Sequence, residues 1–373
     1  MKDDSESYYE SREFQDILKS YESMLDEGTS TYFDGMDLAN IAQYYALSSE
    51  LEKSDRVIEY GLSIHPADPD ILIAKAGNQL QRGLSDQARV IAESIDSQDN
   101  QELIYLKGCI ELADENPEQA DRFYTTAVEM SENDSGMIND IIVKFMDTRH
   151  FELCQKWLDK ALVLEPDSRN FIELQADLFF DTGQMDTALT WYDNLLDEFP
   201  FDTYYWEQMG RIHYEKNEFA KARECFEYIE AIDPDNKSAR MMCASCIFSL
   251  ELWDDALEIY TDLLKEDSDS YTLLYYCGRC KFEKGLYSES LPYFQQSFES
   301  LTHEDDEIPT EMLVELYGYM AESALRSGQT KYAVQLLADG LALDPQDQRL
   351  IYVSGLLLEG PFTDFSDNKQ QEQ

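Results

Sequence analysis

The stretch TYYWEQMGRIHYEKNEFAKARECFEYIEAIDPDN, residues 203–236, decides the fold. Its large apolar residues recur at helical spacing in two runs, Trp206, Met209 and Ile212 and then Phe219, Phe226 and Ile229. Polar residues 215–218 separate the two runs. Pro234 closes the second run, because proline cannot occupy a helix interior. The stretch therefore predicts a helix, a tight turn and a second helix.

The same pattern returns along the chain with a period of about 34 residues, as Pro166, Pro200 and Pro234 illustrate. Small residues recur with this period where two helix backbones must approach each other closely. In the predicted first helices they are Ala42, Ala76, Gly108, Ala176, Gly210, Ala244, Gly278 and Ala321, with Ile142 as the exception. In the predicted second helices they are Ser54, Ala88, Ala120, Cys154, Ala188, Ala222, Ala256, Ser290 and Ala333. A fixed period carried by residues of matched type indicates an internal repeat.

The register divides the chain into nine units that together fill residues 35–347. They start near residues 35, 69, 101, 135, 169, 203, 237, 271 and 314. Residues 1–34 are predicted to hold an N-terminal arm and a capping helix. Residues 305–313 are an insertion that lengthens the first helix of the last unit. A C-terminal capping helix is expected at 348–358, followed by a disordered acidic and polar tail at 359–373.

The run WEQMGRIH at 206–213, followed by Ala222, Phe226 and Pro234, resembles the tetratricopeptide repeat pattern. His213 stands where the family usually has an aromatic residue, and its ring is also planar. The resemblance covers about nine-tenths of the chain. It implies an all-α fold, a right-handed superhelical solenoid of stacked helix–turn–helix repeats with capping helices.

The composition is strongly acidic, with 29 Lys and Arg against 77 Asp and Glu and a formal net charge of −48. This charge predicts repulsion from nucleic acids and anionic membranes and leaves basic or neutral proteins as partners, although it also serves solubility. The chain has no apolar run long enough to span a membrane, and its start lacks the pattern of a signal peptide. Seven cysteines scattered through helical patterns fit the reduced thiols of a cytoplasmic protein.

Two Cys-x-x-Cys pairs, Cys243/Cys246 and Cys277/Cys280, suggest a zinc site with four thiolates. One period of the repeat separates the two pairs, so they align because the repeats align. A buried cysteine behaves as a small apolar residue. Packing in the helical core is therefore the favoured interpretation, and a cysteine-based zinc site stays open as the alternative.

No pattern in the sequence indicates catalysis. There are four histidines and no His-x-x-x-His pair, glycine-rich phosphate loop or Gly-x-Ser-x-Gly turn. The acidic runs at 266–270 and 303–307 do not have the spacing of a calcium-binding loop. We therefore expect a protein that is not an enzyme and that has no cofactor and no metal.

The resemblance implies a concave surface lined mainly by the first helices of the repeats. Positions 2, 5, 9, 12 and 13 of each first helix share one face at the helical period. In repeats six to eight this face combines aromatic rings, methionine and arginine, which are typical of binding hot spots. The predicted peptide-binding residues are Tyr204, Arg211, Tyr214, Met241, Phe248, Tyr275, Arg279 and Phe282. In the alternative, the rings pack against neighbouring helices and the arginines pair with Glu207 and Glu283.

The resemblance implies a non-catalytic scaffold or adaptor that binds an extended peptide or a partner helix in its groove. Some family members hold the carboxylates of chaperone tails with a clamp of Lys and Asn. The matching positions here carry Asn139, Glu173, Glu207, Met241 and Tyr275, without a lysine, so a chaperone tail is not the expected partner. A structural spacer that uses its convex face, and a zinc-binding protein, are the alternatives.

Overall fold

The computed structural model describes residues 8–28, 31–97, 99–303 and 309–359. These residues form twenty α-helices and no strand, so the predicted all-α fold of stacked helical hairpins is confirmed. Residues 1–7 of the predicted arm, 305–308 of the predicted insertion and 360–373 of the predicted tail lie outside the described residues. In the described ranges, no helix has both the length and the apolar character needed to cross a membrane.

A single helix, α1 (Arg12–Glu27), precedes a series of helix pairs. The first five pairs are α2 (Gly35–Leu47) and α3 (Leu51–Ile64), α4 (Pro69–Gln81) and α5 (Ser85–Ser94), α6 (Gln101–Ala113) and α7 (Pro117–Met130), α8 (Ser135–Asp147) and α9 (Phe151–Leu164), and α10 (Arg169–Asp181) and α11 (Met185–Glu198). The next four are α12 (Thr203–Glu215) and α13 (Phe219–Ile232), α14 (Lys237–Ser249) and α15 (Trp253–Glu266), α16 (Tyr271–Glu283) and α17 (Tyr287–His303), and α18 (Thr310–Arg326) and α19 (Thr330–Leu343). A single helix, α20 (Gln348–Glu359), follows them.

Most first helices begin at a capping side chain that recurs with the repeat. The side chains of Asp34, Asp68, Asn100, Asp134, Asp202 and Asn236 each accept a hydrogen bond from a backbone N–H in the first turn that follows. Such a cap satisfies an N–H that has no partner inside the helix and contributes about 1 kcal/mol. The caps therefore fix where these first helices start.

The two helices of a pair approach most closely where the first helix has glycine. A Cβ atom added at Gly210 would lie 2.8 Å from the Cζ atom of Phe226. The same contact recurs between Gly108 and Tyr124 at 2.5 Å, and between Gly278 and Phe294 at 2.8 Å. A larger residue would have to displace these buried rings, so glycine determines how closely the helices pack.

The turn between the two helices of a pair contains one residue in the left-handed region. Five pairs have a residue other than glycine there, with φ between 58° and 62° in Ser49, Glu115, Arg149, Asn217 and Glu251. Four pairs have glycine there, namely Gly83, Gly183, Gly285 and Gly328. Because only glycine adopts this conformation without a steric cost, the first group stores local backbone strain.

The chain forms two compact units, Met1–Trp191 and Tyr192–Gln373. In the first unit, α3 packs on α4 and α9 packs on α10. Its core includes a buried polar contact in which Asn78 Nδ2 donates to Ser54 Oγ at 2.9 Å. In the second unit, α13 packs on α14, α15 on α16, α17 on α18, and α18 on α20. Consecutive hairpins in each unit thus bury each other's apolar faces.

Candidate functional site

The second unit places the eight predicted binding residues on three first helices, α12, α14 and α16. Tyr204 and Arg211 on α12 are exposed, and Tyr204 keeps 39% of its surface. The residues Tyr214, Met241, Phe248, Tyr275 and Arg279 are half-buried. The expectation that Phe282 lies on an open surface is wrong, because only 7% of its surface is exposed. Phe282 belongs to the core that α16 shares with α17 and α18.

Arg279 on α16 lies among three aromatic rings. Its guanidinium carbon is 5.2 Å from the ring centre of Phe248, 5.7 Å from that of Tyr275 and 4.7 Å from that of Tyr319. Arg349 on α20 lies 3.6 Å from the ring centre of Tyr319. The Nε atom of Arg279 and the Nη1 atom of Arg349 are buried without a hydrogen-bond acceptor among the described residues. The ring faces therefore supply the attraction that an acceptor would otherwise provide.

Polar contacts connect Arg279 to its acidic neighbours. Its Nη1 atom donates to the hydroxyl of Tyr275 at 2.8 Å, and that hydroxyl donates to Oε1 of Glu315 at 2.5 Å. Its Nη2 atom lies 3.3 Å from Glu283 Oε1. Burial raises the pKa of Tyr275 well above its usual value of 10, so the hydroxyl keeps its proton and stays a donor. The predicted pairing of Arg279 with Glu283 is thus present, together with a contact to Glu315 that the sequence did not suggest.

These contacts make one continuous strip across neighbouring first helices. The hydroxyls of Tyr214 on α12 and Ser249 on α14 are 3.5 Å apart. Arg279 links α14 to α16 through Phe248, and Tyr275 links α16 to α18 through Glu315. We call Tyr214, Met241, Phe248, Tyr275 and Arg279 the aromatic strip. It brings aromatic rings, a thioether and one arginine, all half-buried, together on three first helices.

A cavity of about 330 Å³ lies next to the aromatic strip, at the start of α18 and α20. Thr310, Glu311, Val314, Glu315, Tyr319, Asp344, Asp347 and Arg349 line it. One oxygen of Asp344 accepts from the N–H of Gln346, and one of Asp347 accepts from the N–H of Leu350, each at 2.8 Å. These bonds hold both carboxylates in place. With four carboxylates and one guanidinium, which lies against a ring, the cavity favours a cationic group.

The sequence did not single out the residues that complete this site. Tyr319, Asp344 and Asp347 fall within the predicted ninth unit, and Arg349 falls within the predicted C-terminal capping helix. The available signal was the predicted insertion at 305–313, because its residues Thr310 and Glu311 begin the 17-residue helix α18 and line the cavity. A first helix longer than its neighbours therefore marks this part of the surface.

The cysteine pairs lie in the core, as expected for small apolar residues. Cys243, Cys246, Cys277 and Cys280 belong to one buried cluster that α14 to α16 share. Burial raises the pKa of each thiol, to about 12 for Cys246, so all four stay protonated at neutral pH. Within the described residues, no group of three or more His, Cys, Asp or Glu side chains is arranged to hold a metal ion.

Comparison with known proteins identifies similar regions. A family model described as anaphase-promoting complex, cyclosome, subunit 3 matches residues 181–263. DnaJ homolog subfamily C member 7 of Homo sapiens is 23% identical over 145 residues, which are 38% of this chain and 29% of the relative. The chain thus spans less than a third of the length of that curated relative.

Two solved structures are similar in part. One is a tetratricopeptide repeat protein from Parabacteroides merdae ATCC 43184, with a TM-score of 0.48, 15% identity, and coverage of 70% of this chain and 100% of that one. The other is YrrB, described as a tetratricopeptide repeat protein with an unusual peptide-binding site. Its TM-score is 0.44 at 18% identity, with coverage of 53% of this chain and 98% of that one.

The chain has the fold of tetratricopeptide repeat proteins. The period of the repeat, the helix pairs and the small residues where the two helices meet together define this class. Proteins of this class carry binding surfaces on stacked hairpins, so the fold is consistent with a protein-interaction scaffold. The class does not specify a partner, and the site must do so.

Proposed function

We propose that the protein is a non-catalytic adaptor that binds an extended peptide along the aromatic strip. The peptide places apolar side chains against Tyr214, Met241 and Phe248 and a lysine or arginine side chain in the neighbouring cavity. The observation that carries this proposal is the continuity of the strip with a cavity whose lining has four carboxylates. Rings and arginine at the centre of a surface are typical binding anchors.

The charge of the protein supports a basic peptide. With a net charge of −48, the whole surface attracts cations and speeds their encounter with the strip. A family model for a subunit of a multiprotein complex, matched at 181–263, supports a role in holding proteins together. The two contributions are different in kind: the cavity selects a basic side chain, and the rings select apolar neighbours.

Selection from a random peptide library on the immobilised protein tests this proposal. We expect enriched peptides to combine a Lys or Arg with apolar residues, and we expect fluorescence anisotropy to show binding that weakens at least tenfold in Met241→Glu and in Glu311→Lys. Glu311 suits this test because it lies in the first turn of α18 and none of the described side chains forms an ion pair with it.

Arg279 is a poor probe of binding, because it holds three rings together and its loss would disturb the fold. The matched control is Val163→Glu, which places the same charge on an apolar residue of α9 that is 80% exposed. If the selected peptides bind wild type, Met241→Glu and Glu311→Lys equally well, the aromatic strip is not the binding site.

A further inference from the structure

Among the described residues, α20 is a single helix that follows the register of a first helix, and no second helix is paired with it. The step from Ala321, the small residue of the preceding first helix, to Gly355 equals the step from Gly210 to Ala244. In three complete hairpins the glycine at this position is covered by an aromatic ring of the second helix: Gly108 by Tyr124, Gly210 by Phe226 and Gly278 by Phe294. The repeat itself therefore shows what belongs on this face of a first helix: a second helix with a large aromatic side chain.

The corresponding face of α20 is open. No described atom lies within 4 Å of the position that a Cβ of Gly355 would occupy. The residues around it are large and apolar, and Ile351, Tyr352 and Leu358 keep 52%, 53% and 77% of their surfaces exposed. We call Ile351, Tyr352, Gly355 and Leu358 the α20 face. The opposite side of the helix is covered, since Leu350 and Val353 are fully buried.

The other single helix among the described residues, α1, shows the usual solution for the end of a stack. It buries Phe14 and Tyr21, while its outer side carries exposed polar residues such as Glu13, Asp16 and Lys19. A polar outer side keeps the end of a repeat array soluble. The α20 face lacks this feature, and an apolar stripe on a solvent-facing helix marks an interaction surface.

We propose that the α20 face is a docking surface for an amphipathic helix of a partner protein, which lies where the second helix lies in a complete hairpin. The partner helix carries a large aromatic side chain over Gly355 and apolar residues one turn to either side. Its flanks carry lysine or arginine, because the protein has a net charge of −48 and because Asp344 and Asp347 precede α20. This surface is separate from the aromatic strip and does not depend on the function proposed for it.

Sequence and charge favour another protein over the two other possible occupants. The residue that stands as far after Gly355 as Phe226 stands after Gly210 is Gln371. Residues 366–373, SDNKQQEQ, contain no apolar side chain that could replace Phe226 or Phe294, and Phe362 and Phe365 stand nine and six residues before that register position. A second copy of the chain carries the same net charge of −48, so the two copies repel each other. A basic amphipathic helix has apolar residues that can pack on the α20 face and positive charges that the acidic protein attracts.

The protein's own second helix supplies a probe of the right chemistry. The probe is a synthetic, helix-stapled peptide of residues 219–232, in which Phe226 is the ring that covers Gly210, with the exposed acids changed by Glu224→Lys and Glu227→Lys. Binding to the full chain is measured by fluorescence anisotropy at physiological ionic strength. A second peptide of equal charge that also carries Phe226→Ala is the matched control for non-specific attraction.

We expect the probe to bind wild type and the Phe226→Ala peptide to bind at least tenfold more weakly. Gly355→Leu fills the position that the ring would occupy, and Leu358→Gln removes exposed apolar surface. Each substitution should therefore weaken binding of the probe at least tenfold. Val163→Gln, on an equally exposed residue of α9, should leave binding unchanged. Backbone amides of α20 should exchange more slowly when the probe is bound.

Two outcomes would overturn the proposal. The first is a probe that fails to bind at millimolar concentration or that binds wild type and both α20 variants alike. The second is a protein that sediments as a dimer, and as a monomer in Leu358→Gln, because a second copy would then occupy the face. Met241→Glu separates this surface from the aromatic strip, since it should not affect the probe.

Discussion

The complete hairpin of α12 and α13 and the single helix α20 use the same sequence feature with opposite consequences. Both first helices have glycine at the same register position, Gly210 and Gly355. In the hairpin a ring of Phe226 fills the space above the glycine, while at α20 that space is open. A small residue in a repeat thus marks a close approach of two helices only where a second helix is present.

The largest effect that tests this comparison is the cost of filling the two glycine positions. Gly210→Leu forces a side chain against the buried ring of Phe226, and such overpacking should lower the free energy of unfolding by about 3 kcal/mol. Gly355→Leu meets no neighbour and gains helix propensity, so it should raise the free energy of unfolding by about 0.5–1 kcal/mol. Urea unfolding followed by circular dichroism measures both.

Equal losses in the two variants would show that the space above Gly355 is filled in solution, and the comparison would fail. Gly278→Leu is the matched second hairpin variant, because Phe294 covers Gly278 as Phe226 covers Gly210. It should behave as Gly210→Leu does. A stabilised Gly278→Leu would mean that the rings move aside easily and that glycine does not fix the helix spacing.

The next effect concerns Arg279 on α16, which contacts Phe248 on α14 and Tyr319 on α18. Arg279→Leu removes attraction to three rings and leaves Glu315 and Glu283 without their arginine, so it should cost about 2 kcal/mol. Hydrogen exchange should also become faster in α20, because Tyr319 contacts both Arg279 and Arg349.

Arg211→Leu is the control for this prediction, since Arg211 is an exposed arginine on a first helix of the same unit. It should change the free energy of unfolding by less than about 0.5 kcal/mol. If Arg279→Leu is equally mild and α20 exchanges as in wild type, then the single helix depends only on the apolar contacts of Leu350 and Val353.

Complete hairpins also bury thiols, whereas α20 has no cysteine. The stability of the hairpins should therefore depend on pH. Burial raises the pKa of Cys246 from 9.0 to about 12. The folded state holds the thiol proton of Cys246 more tightly than the unfolded chain does. The resulting contribution to the free energy of unfolding is therefore full below pH 9 and is lost as pH rises toward 12. At pH 10 the loss from this one group is about 1 kcal/mol.

A double difference isolates that contribution. The stability gap between wild type and Cys246→Ala, measured by urea unfolding at pH 7.5, should shrink by about 1 kcal/mol at pH 10. Cys246→Ala leaves a small cavity at both pH values, so its cost cancels in the comparison. A gap that stays constant would show that the thiol is solvated and does not share the closed core of α14 to α16.

The sequence was sufficient to predict the class of fold, and the reason is the repeat. Local helical spacing around Trp206 and Phe226 specifies two helices, and the period of the repeat multiplies this signal along the chain. The cysteine pairs were also interpreted correctly, because a residue that recurs in register with core residues is a core residue. Redundancy thus makes up for the weakness of each single helix prediction.

The site was predictable only in part. The helical period shows which residues of one helix share a face, but it does not show which of them the neighbouring helix buries. Position 12 of α16 faces the same side as Tyr275, yet Phe282 is buried since Tyr319 of α18 packs against it at 5.1 Å between ring centres. Arg349 and the cavity were missed for the same reason. They depend on how α18 and α20 lie beside each other, which no single helix encodes.

The smallest expected effect concerns the turn between paired helices, a feature that the sequence pattern did not reveal. Glu251 lies in the turn after α14 and has a φ of 62°, where the equivalent residue of the next hairpin is Gly285. Glu251→Gly relieves the steric cost of the left-handed conformation, less the added entropy of the unfolded chain, and should stabilise the hairpin by about 0.5–1 kcal/mol. The midpoint of urea unfolding measures the gain.

The control for the turn is the same exchange inside a helix. Glu258→Gly in α15 should cost about 1 kcal/mol, because Glu258 is exposed and helical. A loss in both variants would mean that Glu251 makes a stabilising contact that outweighs its strain, and the equivalence of its turn with the glycine turns would then be broken. The described residues of α20, Gln348–Glu359, contain no such turn and neither change, so the hydrogen exchange of α20 serves as the internal reference.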